Sequence, residues 1–104
     1  MNTLIILEEA DNELSKAVVW YEERSNGLGF RFLEVIKQKL ETVLEYPERN
    51  TKRKGNFREA IVKIFPYVII YTFYKKERIV SVSAIFHTSR NPKRKYKKRL
   101  RSKS

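Results

Sequence analysis

The stretch that most constrains the fold is Tyr67-Val68-Ile69-Ile70-Tyr71-Thr72-Phe73, a run of β-branched and aromatic residues broken by a single hydroxyl. Side chains alternate across a strand, so a run that is apolar at odd and even positions is apolar on both faces. Such a strand belongs in the middle of a sheet, covered on both sides. Two further β-rich segments, Phe57 to Phe65 and Arg78 to His87, flank it. The connections Phe65-Pro66-Tyr67 and Lys75-Lys76-Glu77 are short enough for antiparallel hairpins.

Upstream the period changes from two to that of a helix. Thr3 to Glu8 is a short aliphatic run that reads as a first strand. From Ala10 to Arg24, apolar residues at Ala10, Leu14, Ala17, Val18 and Tyr21 recur at helical spacing, and Asp11 is placed to cap or favour the helix N-terminus. Ser25-Asn26-Gly27 stops this helix with a residue suited to positive φ. A second apolar stripe, Phe32, Val35, Ile36, Leu40, Val43 and Leu44, predicts a second helix that Pro47 ends. Glu48 to Asn56 reads as a loop, and Lys93 to Arg99, after Pro92, as a turn or two of basic helix. The predicted architecture is α+β: an N-terminal strand, a helical hairpin on a mostly antiparallel four-stranded sheet, and a short basic C-terminal helix. Residues 1–104 form one domain, with 100–104 expected to be a flexible basic tail.

Charge is distributed as unevenly as periodicity. The chain holds 23 Lys plus Arg against 12 Asp plus Glu, a net charge of +11. Residues 1–50 carry ten acids and six bases, whereas residues 51–104 carry two acids and seventeen bases. A basic half of this kind points to polyanions: RNA, DNA or an acidic protein. Its candidate binding residues are Lys52, Arg53 and Lys54 in the loop and Lys93, Arg94 and Lys97 near the C-terminus. No apolar run approaches the roughly 18 residues that span a bilayer, and the start of the chain lacks a basic, cleavable leader. A cytoplasmic protein with no membrane partner is expected, and the absence of cysteine suits a reducing compartment.

The residue inventory removes several chemistries. Asp11 is the single aspartate and the basic half has only Glu59 and Glu77, too few carboxylates for a two-metal nuclease. Gly27, Gly29 and Gly55 make neither a Walker loop nor a dinucleotide fingerprint. With His87 the sole histidine, one chain has no two-histidine dyad. What remains is metal-free cleavage of RNA by its own 2′-hydroxyl, with cations stabilising the transition state. For that chemistry Arg58, His87, Arg90 and Tyr96 are the candidates, expected to gather on one sheet face; neither metal nor cofactor is needed. Glu59 is a possible base, but adjacent strand residues point to opposite faces and Glu59 is not expected to share a site with Arg58. Each has a structural alternative: Arg58 pairing with a carboxylate, His87 bonding a backbone carbonyl. Trp20-Tyr21 can stack bases, yet beside Ala17 and Val18 the pair reads more readily as core.

Taken in order, Ala17-Val18-Val19-Trp20-Tyr21-Glu22, Gly27-Leu28-Gly29 with Phe32, Tyr46-Pro47, Arg58, Phe65-Pro66-Tyr67-Val68-Ile69-Ile70-Tyr71 and Ala84-Ile85-Phe86-His87-Thr88-Ser89-Arg90-Asn91-Pro92 resemble the RelE/ParE superfamily of bacterial toxins. The resemblance implies a small α+β toxin of a type II toxin–antitoxin module, with an antitoxin that wraps it and masks its basic face. It also implies one of two targets. RelE-like members cut mRNA on the ribosome; ParE-like members poison DNA gyrase. The Phe-Pro-Tyr turn and the His87-x-x-Arg90-x-Pro92 end look more like the ParE branch. The position after Tyr67, commonly Arg in the RelE-like ribonucleases, is Val68 here. Gyrase inhibition is therefore the expectation, with ribosome-dependent, metal-independent mRNA cleavage as the alternative. A plain basic nucleic-acid-binding module is the third reading, and it predicts binding without growth arrest.

Overall fold

The computed structural model describes residues 1–89 of the chain. Seven elements follow one another: β1 (Thr3–Ile6), α1 (Glu8–Arg24), α2 (Leu28–Glu45), β2 (Lys52–Lys54), β3 (Phe57–Ile61), β4 (Tyr67–Tyr74) and β5 (Ile79–His87). They make one sheet in the order β1-β5-β4-β3-β2, with β1 parallel to β5 and every other pair antiparallel. The α+β class and the hairpin-on-sheet arrangement are as expected, but the sheet has five strands and not four. The additional strand is β2, inside the segment read as a loop; its three residues are all basic and all exposed, so no apolar alternation marks it. The predicted helix from Lys93 to Arg99 and the tail at 100–104 lie outside the described residues.

The central strand behaves as its composition requires. Tyr67, Ile69 and Tyr71 face the helices and join Phe32, Ile36, Leu40 and Val43 of α2 in the main core. Val68 and Ile70 point the other way, into a smaller cluster with Ala84, Phe86 and Phe57. A bulge at Ser83 makes this possible on β5: Tyr71 pairs with Val82 but Ile70 pairs with Ala84. The extra residue shifts the alternation, so that Val80 and Val82 and then Ile85 all reach the helix side. The buried Ser83 hydroxyl donates to the Ile70 carbonyl at 3.3 Å.

Three boundaries differ from expectation. The first strand stops at Ile6 and α1 begins at Glu8, because Leu7 takes an extended conformation as N-cap and its carbonyl receives the Asp11 N–H at 3.0 Å. Asp11 is thus no cap; with Glu8 and Glu9 it sits in the first turn, where negative charge favours the helix dipole. The strand expected to run to Phe65 ends at Ile61, and the chain turns through Ile64 at φ 80° before Pro66. That turn closes with Val62 N–H to Tyr67 O at 2.9 Å and folds Phe65 back into the core.

Gly27, at φ 86°, ends the first helix and caps the second, as its residue type allows. The side chain that closes this hairpin is Glu22. Its two carboxylate oxygens accept the N–H groups of Gly27 at 2.8 Å and Gly29 at 3.0 Å, two donors a helix start leaves without partners. Gly29 permits the approach: a Cβ there would run into the Val18 carbonyl oxygen and sit 3.0 Å from the Glu22 Cβ.

Candidate functional site

Of the four catalytic candidates, Arg58 and His87 are among the described residues and both point to the helix side of the sheet. They are not brought together. Arg58 pairs with Tyr71 on one flank of β4, and His87 pairs with Tyr67 on the other. Four residues along a strand and two interstrand steps separate their backbones by roughly 16 Å. Glu59 lies on the opposite face from Arg58, as alternation requires, paired with Ile70. Arg90, Lys93, Arg94, Tyr96 and Lys97 lie outside the described residues.

Arg58 takes neither a carboxylate nor an open position. Its Nη1 donates to the Asn50 carbonyl at 2.6 Å and to the Glu48 carbonyl at 3.4 Å. Beside it the Tyr71 hydroxyl donates to the Pro47 carbonyl at 2.7 Å and accepts from Asn50 Nδ2 at 3.2 Å. Together these bonds fasten the segment after α2 over the end of β4. Burial pushes the Tyr71 phenol above its usual range, against the opposing pull of the Asn50 bond and the Arg58 charge. The fastened segment runs directly into β2, so the latch sets where Lys52, Arg53 and Lys54 stand. These three form an exposed basic ribbon on the sheet edge, a charge pattern that also discourages edge-to-edge pairing.

His87 sits at the other end, on a cleft of about 340 Å³ that it shares with Lys16, Ala17, Trp20 and Tyr21 of α1, Tyr67 of β4, and Ser89. The expected bond to a backbone carbonyl is absent. Instead Nδ1 accepts the Ser89 N–H at 3.1 Å and lies 2.7 Å from the Ser89 hydroxyl. An amide can only donate, so in this arrangement Nδ1 is the acceptor and Nε2 is the ring nitrogen left to donate. Trp20 and Tyr21 divide their roles. Tyr21 is core, packed on Phe32 and Phe65 with ring centroids at 5.0 and 4.9 Å. Trp20 is half-exposed on the cleft, with the Arg24 guanidinium 4.0 Å over its ring.

Sequence reasoning missed Lys16 and Ser89. Lys16 stands four residues before Trp20, a spacing that places the two on one helix face, and Ser89 stands two after His87, within reach of a local side-chain bond. Val68 is 4% exposed within the apolar second face, so the position where the resemblance looks for an arginine is a packing position. Among the described residues no group of three or more His, Cys, Asp or Glu is placed to hold a metal ion, and no helix is long and apolar enough to cross a membrane.

The model of a family described as the ParE toxin of type II toxin-antitoxin system, parDE, matches residues 4–92. Among solved structures, the chain is similar to one titled as the chromosomal ParDE TA system from P. aeruginosa, at TM-score 0.71 and 12% identity over 86% of this chain and 98% of that one. It is also similar to the isolated E. coli RelE toxin, at TM-score 0.66 and 22% identity over 100% of both chains. At these identities the two likenesses concern the fold. No curated protein matches the chain.

Proposed function

The chain belongs to the ParE toxin family of type II toxin-antitoxin systems, and on that premise we propose that it arrests growth in the cytoplasm by inhibiting DNA gyrase until a cognate antitoxin masks it. The observation that carries gyrase over mRNA as the target is Val68. Cleavage without a metal needs cations converging on the scissile phosphate. On β4 the place for one is taken by a buried valine, while Arg58 is turned onto the Asn50 and Glu48 carbonyls, well away from His87. The basic ribbon Lys52, Arg53 and Lys54 acts in this reading as a recognition surface, and Lys93, Arg94 and Lys97 add to its charge by sequence.

The experiment is inducible expression without antitoxin, following DNA synthesis, protein synthesis and growth over the first minutes. Early loss of DNA synthesis with an SOS response and intact mRNA is the expected result. Immediate loss of translation with mRNA cuts, abolished by His87→Ala with Arg90→Ala, would replace gyrase with the ribosome and its mRNA as target. Normal growth would contradict the proposed arrest and leave a folded but inactive member of the family.

A further inference from the structure

Three surface features of the described residues play no part in that reading. An apolar groove of about 350 Å³ lies between β1 and the helices, lined by Leu4, Leu14, Leu33, Leu40 and Leu44 among others. Val19 and Phe30 are exposed on the helical hairpin. Neither feature carries anything that selects an occupant. The cleft at His87 does, because it combines an apolar body with donors of one sign.

Among the described residues seven line it and none is acidic. Lys16 is exposed, and no carboxylate among the described residues lies within ion-pairing distance of it. Ser89 holds Nδ1 of His87 as an acceptor, which leaves Nε2–H as the ring's donor. Arg24 adds a second cation against the Trp20 ring. The occupant of such a cleft is an anion with an apolar companion.

The aromatic geometry decides between a nucleotide and a carboxylate. Trp20 and Tyr21 meet at 89°, Tyr21 and Phe65 at 70°, and Tyr67 and His87 at 78°. These are edge-to-face contacts, and among the described residues no parallel pair lines the cleft as a slot into which a base could slide. One Trp20 face is already covered by the Arg24 guanidinium. We propose that this cleft anchors the carboxylate side chain of an acidic peptide segment on a partner protein, with Lys16 and His87 Nε2–H holding the carboxylate and Trp20 packing an adjacent apolar side chain. The proposal rests on the reading of the chain as a masked toxin, in which the partner is the antitoxin, and it names the chemistry by which one point of that partner is held.

Composition supplies the assay, since Trp20 is the only tryptophan and His87 the only histidine. The indole N–H and imidazole resonances are unique reporters on two residues that line the cleft. The full chain is titrated with acetyl-Leu-Glu-Leu-amide, its Leu-Gln-Leu counterpart, and adenosine and uridine 5′-monophosphate, in 150 mM salt. The Glu peptide should shift both reporters saturably and bind several-fold more tightly than the Gln peptide. Lys16→Gln should weaken the Glu peptide by about 2- to 5-fold, the range of a partly exposed ion pair. Trp20→Ala, at a half-exposed position that leaves the core intact, should weaken both peptides alike. Equal binding of the Glu and Gln peptides, or reporters that answer the nucleotides and not the Glu peptide, would overturn the proposal. Growth arrest on expression does not involve these peptides, so failure here leaves the functional reading to its own test.

Discussion

Tyr71→Phe isolates the latch that fastens the segment carrying the basic ribbon. The ring stays, so the packing of a residue with no exposed surface is retained. What goes is the hydroxyl that donates to Pro47 O at 2.7 Å and accepts from Asn50 at 3.2 Å. A buried carbonyl left without its donor costs about 1–3 kcal/mol, and the Asn50 amide has solvent as a substitute, so a loss of about 2 kcal/mol is expected. With an unfolding entropy of about 2.1 cal/mol/K per residue, that lowers Tm by about 9 °C.

The pH dependence gives a second reading of the same bond. Burial raises the folded-state pKa of Tyr71 above the reference value of 10.0, so the folded state holds this proton more firmly than the unfolded chain does. The stabilisation is fully present below pH 10 and is lost as pH rises through the folded pKa. Tyr21, also raised by burial, acts in the same direction and leaves a residual slope in the variant. Thermal unfolding of both proteins from pH 7 to 11 should therefore show the variant less stable at pH 7 and less steeply destabilised above pH 10. An unchanged Tm at pH 7, or parallel curves above pH 10, would refute this account of the latch.

Four other substitutions test the fold at single points. Gly29→Ala forces a methyl group against the Val18 carbonyl and Glu22, which should separate the helices and cost about 1–3 kcal/mol by chemical denaturation. At Gly27, where nothing lies within 4 Å, alanine should cost only about 1–2 kcal/mol, from its left-handed φ. Glu22→Gln leaves at most one acceptor for the two amides of the α2 start and should destabilise by about 1 kcal/mol, with faster hydrogen exchange at Gly27 and Gly29. Val68→Arg, which places a cation where the RelE-like pattern has one, should cost more than about 3 kcal/mol and yield insoluble protein, because Val68 packs among Ile70, Ala84 and Phe86.

The elements legible in the sequence are those in which apolar period and local chemistry agree. The two-faced run at Tyr67 to Phe73, the stripe from Phe32 to Leu44 and the Gly27 stop each placed an element correctly. Lys52-Arg53-Lys54 could not be read as a strand, because an exposed edge has no buried face to alternate with. The overrun to Phe65 has the opposite cause: Phe65 is apolar and buried, but it enters the core from a turn and not from the sheet. In the site, His87 was visible as the lone histidine at a strand end. The partners of Arg58 were not, since backbone carbonyls at Glu48 and Asn50 leave no trace in residue identity. Lys16 joined the site only through packing, when α1 laid one face beside the end of β5.

The central claim concerns the target, and purified components address it most directly. The chain is added to DNA gyrase with relaxed plasmid and, separately, to ribosomes programmed with a short mRNA. The account predicts dose-dependent loss of supercoiling and mRNA that stays intact. Cleaved mRNA with gyrase working at full rate would contradict it, and would show that a cation set without an arginine at Val68 suffices for cleavage.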